Sequence, residues 1–273
     1  MSVCERIEWQ DIEGLRVGRY GHRVNTTSIL WRLGTTLIDT GPANQWACVR
    51  AFAGERPVDQ VVATHHHEDH AGNLSKFPQL GISRLLAPRE SLDFIADGFP
   101  LQTYRRIVWG RPGRIHVEPC SERIELADGN PLEPILLPGH SPDMTCLLDH
   151  DRGALFGADL YVGGRLRYLR QDENLNGIIA GLRRILTFDF DTLLCSHRGL
   201  VPPAKEKLAL KLEYLEELRA QARSLEQKEV PVEGIVHRLL GREDFVSYFS
   251  LGHFSKRNLI VACLREDGAV LAA

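Results

Sequence analysis

The stretch THHHEDHAGN, residues 64–73, sets four histidines and two carboxylates in ten consecutive positions, over a third of the 11 histidines in a chain of 273 residues. Imidazoles repel one another as cations and pack poorly, so such crowding needs a reason. The preceding run Gln60–Thr64 is short and rich in β-formers, and predicts a strand that feeds the cluster. On an extended segment, side chains two apart point the same way, which puts His65 and His67 on one side. Asp69 and His70 follow from the next turn. Neutral imidazole and carboxylate suit zinc and similar divalent ions. Such an ion favours deprotonated, clustered rings. His66 and Glu68 alternate away and are expected as solvated loop residues.

Three distant stretches repeat one pattern. LLPGHSPD presents His140, LFGAD presents Asp159, and LLCSHRG presents His197. Each follows an apolar, strand-like run, as in a site assembled along one edge of a sheet. Upstream, LIDTG places Asp39 after another such run, where it can cap its own turn. His22, His116, His150 and His237 have no motif around them and read as surface histidines.

The composition is that of an ordinary globular chain, 43% hydrophobic and 25% charged, with a formal net charge of -3. This charge gives no general field for a polyanion and counts against nucleic acid as a partner. The six cysteines, Cys4, Cys48, Cys120, Cys146, Cys195 and Cys263, show no CxxC spacing and read as reduced thiols of a cytoplasmic protein. The start MSVCERIEWQDIEG lacks an apolar signal core, and no long apolar stretch predicts a membrane span.

Further short strands are predicted at Thr27–Leu33, Thr35–Asp39, Arg84–Ala87, Arg114–His116, Arg123–Leu126, Ile135–Leu137, Thr145–Leu148, Ala154–Gly157 and Thr192–Ser196. Helices are predicted at Trp46–Gly54 and Leu175–Leu186. The alternation is that of an α/β protein with layered sheets. After Leu200 the pattern changes. Pro202 and Pro203 can open a helix, and Leu208, Leu212, Leu215, Leu218, Ala222 and Leu225 then recur at helical spacing. Helices over Val232–Leu240 and Lys256–Arg265, the latter capped by Ser255, complete a helical portion. This divides the chain into residues 1–202 and a helical portion, 203–273.

With these motifs in order, the chain resembles the metallo-β-lactamase-fold hydrolase superfamily: HxHxDH at His65, His67, Asp69 and His70, then His140, Asp159 and His197, with Asp39 upstream. The resemblance covers about the first 200 residues. It implies a four-layer αββα sandwich with a helical C-terminal extension, residues 1–202 forming the catalytic domain and residues 203–273 covering its cleft. It also implies two divalent metal ions, zinc first, with iron or manganese as alternatives. His65, His67 and His140 would hold one ion and Asp69, His70 and His197 the other, with Asp159 bridging and Asp39 steadying the loop. A hydroxide shared by the metals would attack an ester-like bond in a small substrate, a thioester or lactone, with Asp69 orienting it. The alternatives are a ribonuclease or phosphodiesterase of the same fold, and a member that binds a ligand without turnover. Two departures stand out. Asp143 follows Pro142 where relatives often carry Gly, and either alters substrate charge preference or caps a turn. Cys195 lies two before a ligand and reads as a buried strand cysteine.

Tyr161, Arg165 and Arg167 in LYVGGRLRYLR either line a pocket and meet an anionic tail or form a solvated loop. In SLGHFSKRN, His253, Lys256, Arg257 and Asn258 flank a helix N-terminus, either as contacts to an anionic substrate or as a turn and a solvated face. Phe94, Phe99, Tyr104 and Trp109 form either a lid or packing between layers. A homodimer is compatible with all of this.

Overall fold

The computed structural model of the chain describes residues 2–21 and 26–265; His22 lies outside them. The chain divides into two compact units. The first takes Met1–Leu136, Asp143–Val162 and Phe190–Pro202; the second takes Leu137–Pro142, Gly163–Asp189 and Pro203–Ala273. The final crossing thus falls at Pro202, but two earlier segments also belong to the second unit.

The first unit holds two sheets. The larger runs in the order β1 (Val3–Trp9), β2 (Ile12–Gly18), β3 (Thr27–Leu33), β4 (Thr36–Ile38), β5 (Gln60–Val62), β6 (Arg84–Ala87) and β7 (Glu118–Pro119). Neighbours from β1 to β4 are antiparallel, and those from β4 to β7 are parallel. The smaller sheet contains β8 (Leu132–Leu136), β9 (Thr145–Asp149), β10 (Ala154–Phe156), β12 (Thr192–Cys195) and β13 (Gly199–Leu200), ordered β13-β12-β10-β9-β8.

One buried cluster joins the two sheets: Trp31, Ile38, Val62 and Leu86 from the larger meet Leu132, Leu147, Phe156 and Leu194 from the smaller. Trp31 and Phe156 meet edge to face. On its other face the larger sheet packs Val17, Leu30 and Val61 against Val49 and Phe52 of α1 (Trp46–Gly54), Leu74 and Phe77 of a 3-10 turn, and Ile95 of α2 (Leu92–Asp97). A short α3 (Thr103–Trp109) follows. Helix, sheet and sheet are therefore stacked within this unit, with apolar side chains facing both interlayer spaces.

The second unit holds a small hairpin, β11 (Leu169–Arg170) with β14 (Phe254–Ser255), and the helices α4 (Leu175–Ile185), α5 (Ala204–Glu226), α6 (Val232–Leu240), α7 (Phe245–Phe249) and α8 (Lys256–Leu264). Leu208, Leu215, Leu218 and Ala222 form the buried stripe of α5, against which α4, α6 and α8 pack. Asn174 caps α4 by accepting from the Gly177 amide, and Ser255 caps α8 by accepting from Asn258. Although α5 has 23 residues, it is charged along its length, and among the described residues no helix is long and apolar enough to cross a membrane.

Two predicted strands take other forms. Arg114–His116 is irregular, and the pairing begins at Glu118 instead, ending at Pro119, which has no amide to donate. Arg123–Leu126 contributes only an isolated bridge, Ile124 to Leu132. Cys195 is a buried strand residue, as expected, and His116, His150 and His237 are exposed.

Candidate metal centre

β5 ends at Val62, and residues 63–73 then turn back beneath the neighbouring loops. The Thr64 carbonyl accepts from Thr145 at the start of β9, and the His70 carbonyl accepts from the Thr40 amide. Asn73 donates its side-chain amide to the carbonyls of Thr40, Gly41 and Pro42. Buried in this way, the turn is over-determined by backbone partners rather than left as a free loop.

Three imidazoles of the first unit are held at Nδ1. His70 Nδ1 lies 2.7 Å from Asp39 Oδ2. His197 Nδ1 donates to the Thr27 carbonyl at 2.7 Å. His65 Nδ1 lies 3.1 Å from Thr64 Oγ1, while its Nε2 faces His67 Nδ1 at 2.9 Å. A bond at one ring nitrogen fixes the tautomer and aims the other. The aimed nitrogens converge on carboxylates. His197 Nε2 is 3.1 Å from Asp159 Oδ1 and 3.5 Å from Asp69 Oδ2. His70 Nε2 is 3.2 Å from Asp159 Oδ1 and 3.9 Å from Asp69 Oδ2. Asp159 follows Ala158, whose φ of 42° is in the left-handed region that non-glycine residues seldom adopt.

The donor set fits a cation. His65, His70 and Asp159 present ligand atoms within 4.8 Å of one another, and so do Asp69, His70 and His197. His70 Nε2 is fully buried and makes no hydrogen bond, although a carboxylate oxygen stands beside it. Burial disfavours a charged His70, but Asp39, Asp159 and Asp69 outweigh it and raise the pKa well above the usual histidine value. At His197 burial again opposes the charge, and Asp159 and Asp69 raise the pKa. Such a field attracts positive charge, and imidazole with carboxylate is the donor chemistry of zinc, iron and manganese.

His66 and Glu68 are not solvated. Both are buried. Asp143 accepts from the His66 backbone amide at 2.7 Å, lies 2.9 Å from His66 Nδ1, and also accepts from Ser91 Oγ. Phe94 stacks on the His66 ring, with centroids 4.2 Å apart, and Phe99 meets it edge-on. Glu68 receives two bonds from Arg105 of α3, at 2.6 and 2.7 Å. Strand alternation does not continue past Val62, so it does not send these side chains outward. Asp143 therefore clamps the histidine loop, and the aromatic set is packing at Phe94 and Phe99. The Trp109 ring lies 6.4 Å from that of His197.

His140 belongs to the second unit, where its Nδ1 is 2.8 Å from Glu173 Oε1. Burial opposes charge on Glu173, but Arg170 and His140 hold its carboxyl below the ordinary range. Tyr161 is half-buried, and Arg165 and Arg167 are exposed. The start of α8 already has its anion: Glu243 accepts from the backbone amides of Lys256 and Arg257. Lys256 is buried, with its ammonium 3.1 Å from Asp244. His253 is buried too, with Nε2 3.9 Å from Asp172. The basic appearance of SLGHFSKRN thus reflects internal pairing, which no local spacing reveals.

Paired sheets whose connecting loops gather histidines and aspartates define the class of metal-dependent hydrolases built on this sandwich. A model of the metallo-beta-lactamase superfamily matches residues 24–197, and the chain belongs to that superfamily. It has the α/β fold of the family, with helices at its C-terminal end. An uncharacterised protein of Aquifex aeolicus is 28% identical over 149 residues, 50% of this chain and 66% of that protein. The human acyl-coenzyme A thioesterase MBLAC2 is 30% identical over 128 residues, 42% of this chain and 45% of the thioesterase. The chain thus matches less than two thirds of either relative. A beta-lactamase domain protein from Burkholderia ambifaria has the same fold, with a TM-score of 0.73 at 18% identity, over 95% of this chain and 87% of that one. A metallo-beta-lactamase family protein from Thermus thermophilus gives a TM-score of 0.64 at 16% identity, over 98% and 94% of the two chains.

Proposed function

We propose that this hydrolase opens a thioester or lactone in a small substrate over two divalent ions, zinc first. The observation that carries the reading is the convergence of Asp69, Asp159, His70 and His197, with His70 Nε2 buried and aimed at Asp159. In this reading His65, His67 and His140 would each be a metal ligand. Asp69, His70 and His197 would hold an ion, with Asp159 as a further ligand. Two cations, when bound, would lower the pKa of a water and polarise the bond to be cut.

The chain's own residues do the remainder. Asp69 orients the attacking water and takes its proton on the carboxylate, which is buried beside His197. Tyr161 and Arg165 meet an anionic portion of the substrate. The thioester is preferred because the human relative is named an acyl-coenzyme A thioesterase. Elemental analysis should find zinc, iron or manganese in the purified protein. A panel of thioester, lactone, β-lactam and phosphodiester substrates should then show turnover of the first two, lost on chelation. His67→Ala should lower metal content and abolish hydrolysis while the fold survives. Full activity in that variant at normal metal content would end this reading, and cleavage of the phosphodiester alone would replace its substrate class.

A further inference from the structure

The sequence motifs name His140 but say nothing of what holds it. Within the second unit one stretch, Arg170–Glu173, grips this residue at two points. Glu173 Oε1 sits 2.8 Å from the ring at Nδ1, and Arg170 Nη2 donates to the His140 carbonyl at 2.8 Å. The grip is itself braced. Glu173 Oε2 accepts from the Arg170 amide at 2.8 Å, and Arg170 Nε donates to Asp172 Oδ1. Beneath it, the backbone of Gly139 lies directly on the first turn of α4: a Cβ at Gly139 would stand 2.4 Å from the Ile178 nitrogen, and one at Gly177 would stand 2.4 Å from the Pro138 oxygen. The Gly139 carbonyl also accepts from Asn174, the cap of α4. The loop therefore has little freedom to slide, and the remaining freedom of His140 is rotation of its ring.

We infer that Glu173 is the positioning residue for His140: by accepting a hydrogen bond from Nδ1–H it fixes the tautomer and ring plane that present Nε2 to a metal. A carboxylate on the outer nitrogen of a liganding imidazole does this generally, and its loss lowers metal affinity about 10–100-fold. The inference rests on the proposed role of His140 as a ligand. A plain structural ion pair is the competing account, and it makes a different prediction. Structural loss lowers stability without touching coordination, whereas a positioning role acts on the metal through His140 alone.

The test uses the full chain, loaded with Co²⁺ and followed by titration and visible absorption. Glu173→Ala should weaken binding at one site about 10–100-fold and shift the cobalt absorption. Glu173→Gln, which keeps the size and an acceptor oxygen, should lose less affinity than Glu173→Ala and guards against a variant that does not fold. In a His140→Ala background, Glu173→Ala should cause no further loss, because its effect is routed through that ring. Wild-type cobalt affinity and absorption in both single variants, beside normal hydrolysis, would overturn the inference and leave the hydrolase reading standing. An additive loss in the double variant would also overturn it. A wild-type chain that takes up no metal would remove both.

Discussion

Asp39 Oδ2 lies 2.7 Å from His70 Nδ1, while Asp39 Oδ1 accepts from the Thr64 amide at 2.8 Å. One carboxylate thus ties the beginning of the histidine turn to its end, and it does so from a residue at a φ of 63°. A left-handed aspartate is tolerated more readily than most side chains, and here its short carboxylate is what the turn uses. Asp39→Ala should leave the buried Thr64 amide without this acceptor, at a cost of about 1–3 kcal/mol in denaturant unfolding. It should also weaken metal binding about 10–100-fold through His70. Asp39→Asn keeps an acceptor oxygen and should retain more of both. Unchanged metal affinity in Asp39→Ala would show that the carboxylate serves only its own turn.

The raised pKa values of His70 and His197 set a pH dependence with a definite sign. A histidine whose folded pKa exceeds its unfolded value adds stability that is complete below the unfolded value, about 6.5, and is lost as pH rises through the folded one. In the metal-free protein, Asp39, Asp159 and Asp69 create this effect at His70, against the opposing influence of burial. Metal-free protein should therefore lose melting temperature as pH rises above about 6.5. A bound cation takes the place of the proton and should flatten the curve, while metal affinity itself rises with pH. Thermal unfolding with and without chelator checks both. A metal-free protein that gains stability across this range would contradict the carboxylate field around His70.

The proposed ligands are legible in local spacing. His65, His67, Asp69 and His70 sit within one short motif, and His140, Asp159 and His197 each end an apolar run. Most strands of the two sheets are equally legible, because they are short apolar stretches bounded by turns. What remained hidden depends on distance along the chain. His66 and Glu68 turn inward because Asp143, 77 residues from the first, and Arg105, 37 residues from the second, receive them. Nothing near those positions advertises either partner. β1 and β2 carry little strand signal, since charged residues interrupt their alternation and β1 lies largely exposed at the sheet edge. Glu243 likewise lies 13 residues from the Lys256 amide it caps.

The pair Glu68 and Arg105 lends itself to a mutant cycle. Glu68 is fully buried, and burial pushes its carboxyl up despite the guanidinium beside it. Removing one partner of a buried pair leaves an uncompensated charge, which costs about 3–5 kcal/mol. Arg105→Met should therefore destabilise the protein strongly, measured by denaturant unfolding. Replacing both with apolar residues of similar size, Glu68→Leu with Arg105→Met, should recover most of that loss. If the double variant is as unstable as the single one, the pair has a role beyond neutralising its own charges. That role would be located by comparing metal content in the two, since Glu68 directly precedes Asp69.

Gly72 closes the histidine turn where no side chain has room. A Cβ there would stand 2.2 Å from the Glu68 oxygen and 2.7 Å from the Ala43 nitrogen and the Gly41 oxygen. All three are backbone atoms, so relief requires moving the turn that carries Asp69 and His70. Gly72→Ala should cost about 1–3 kcal/mol, the usual range for overpacking, and should also lower metal content, because the ligands move with the backbone. Gly54, at the end of α1, is the control: a Cβ there meets nothing within 4 Å. Gly54→Ala should leave metal content unchanged and raise stability by up to about 1 kcal/mol, through the unfolded chain and helix propensity. Equal behaviour of the two variants in unfolding and elemental analysis would mean that the turn yields at Gly72, and that its close backbone approach does not hold the ligands in place.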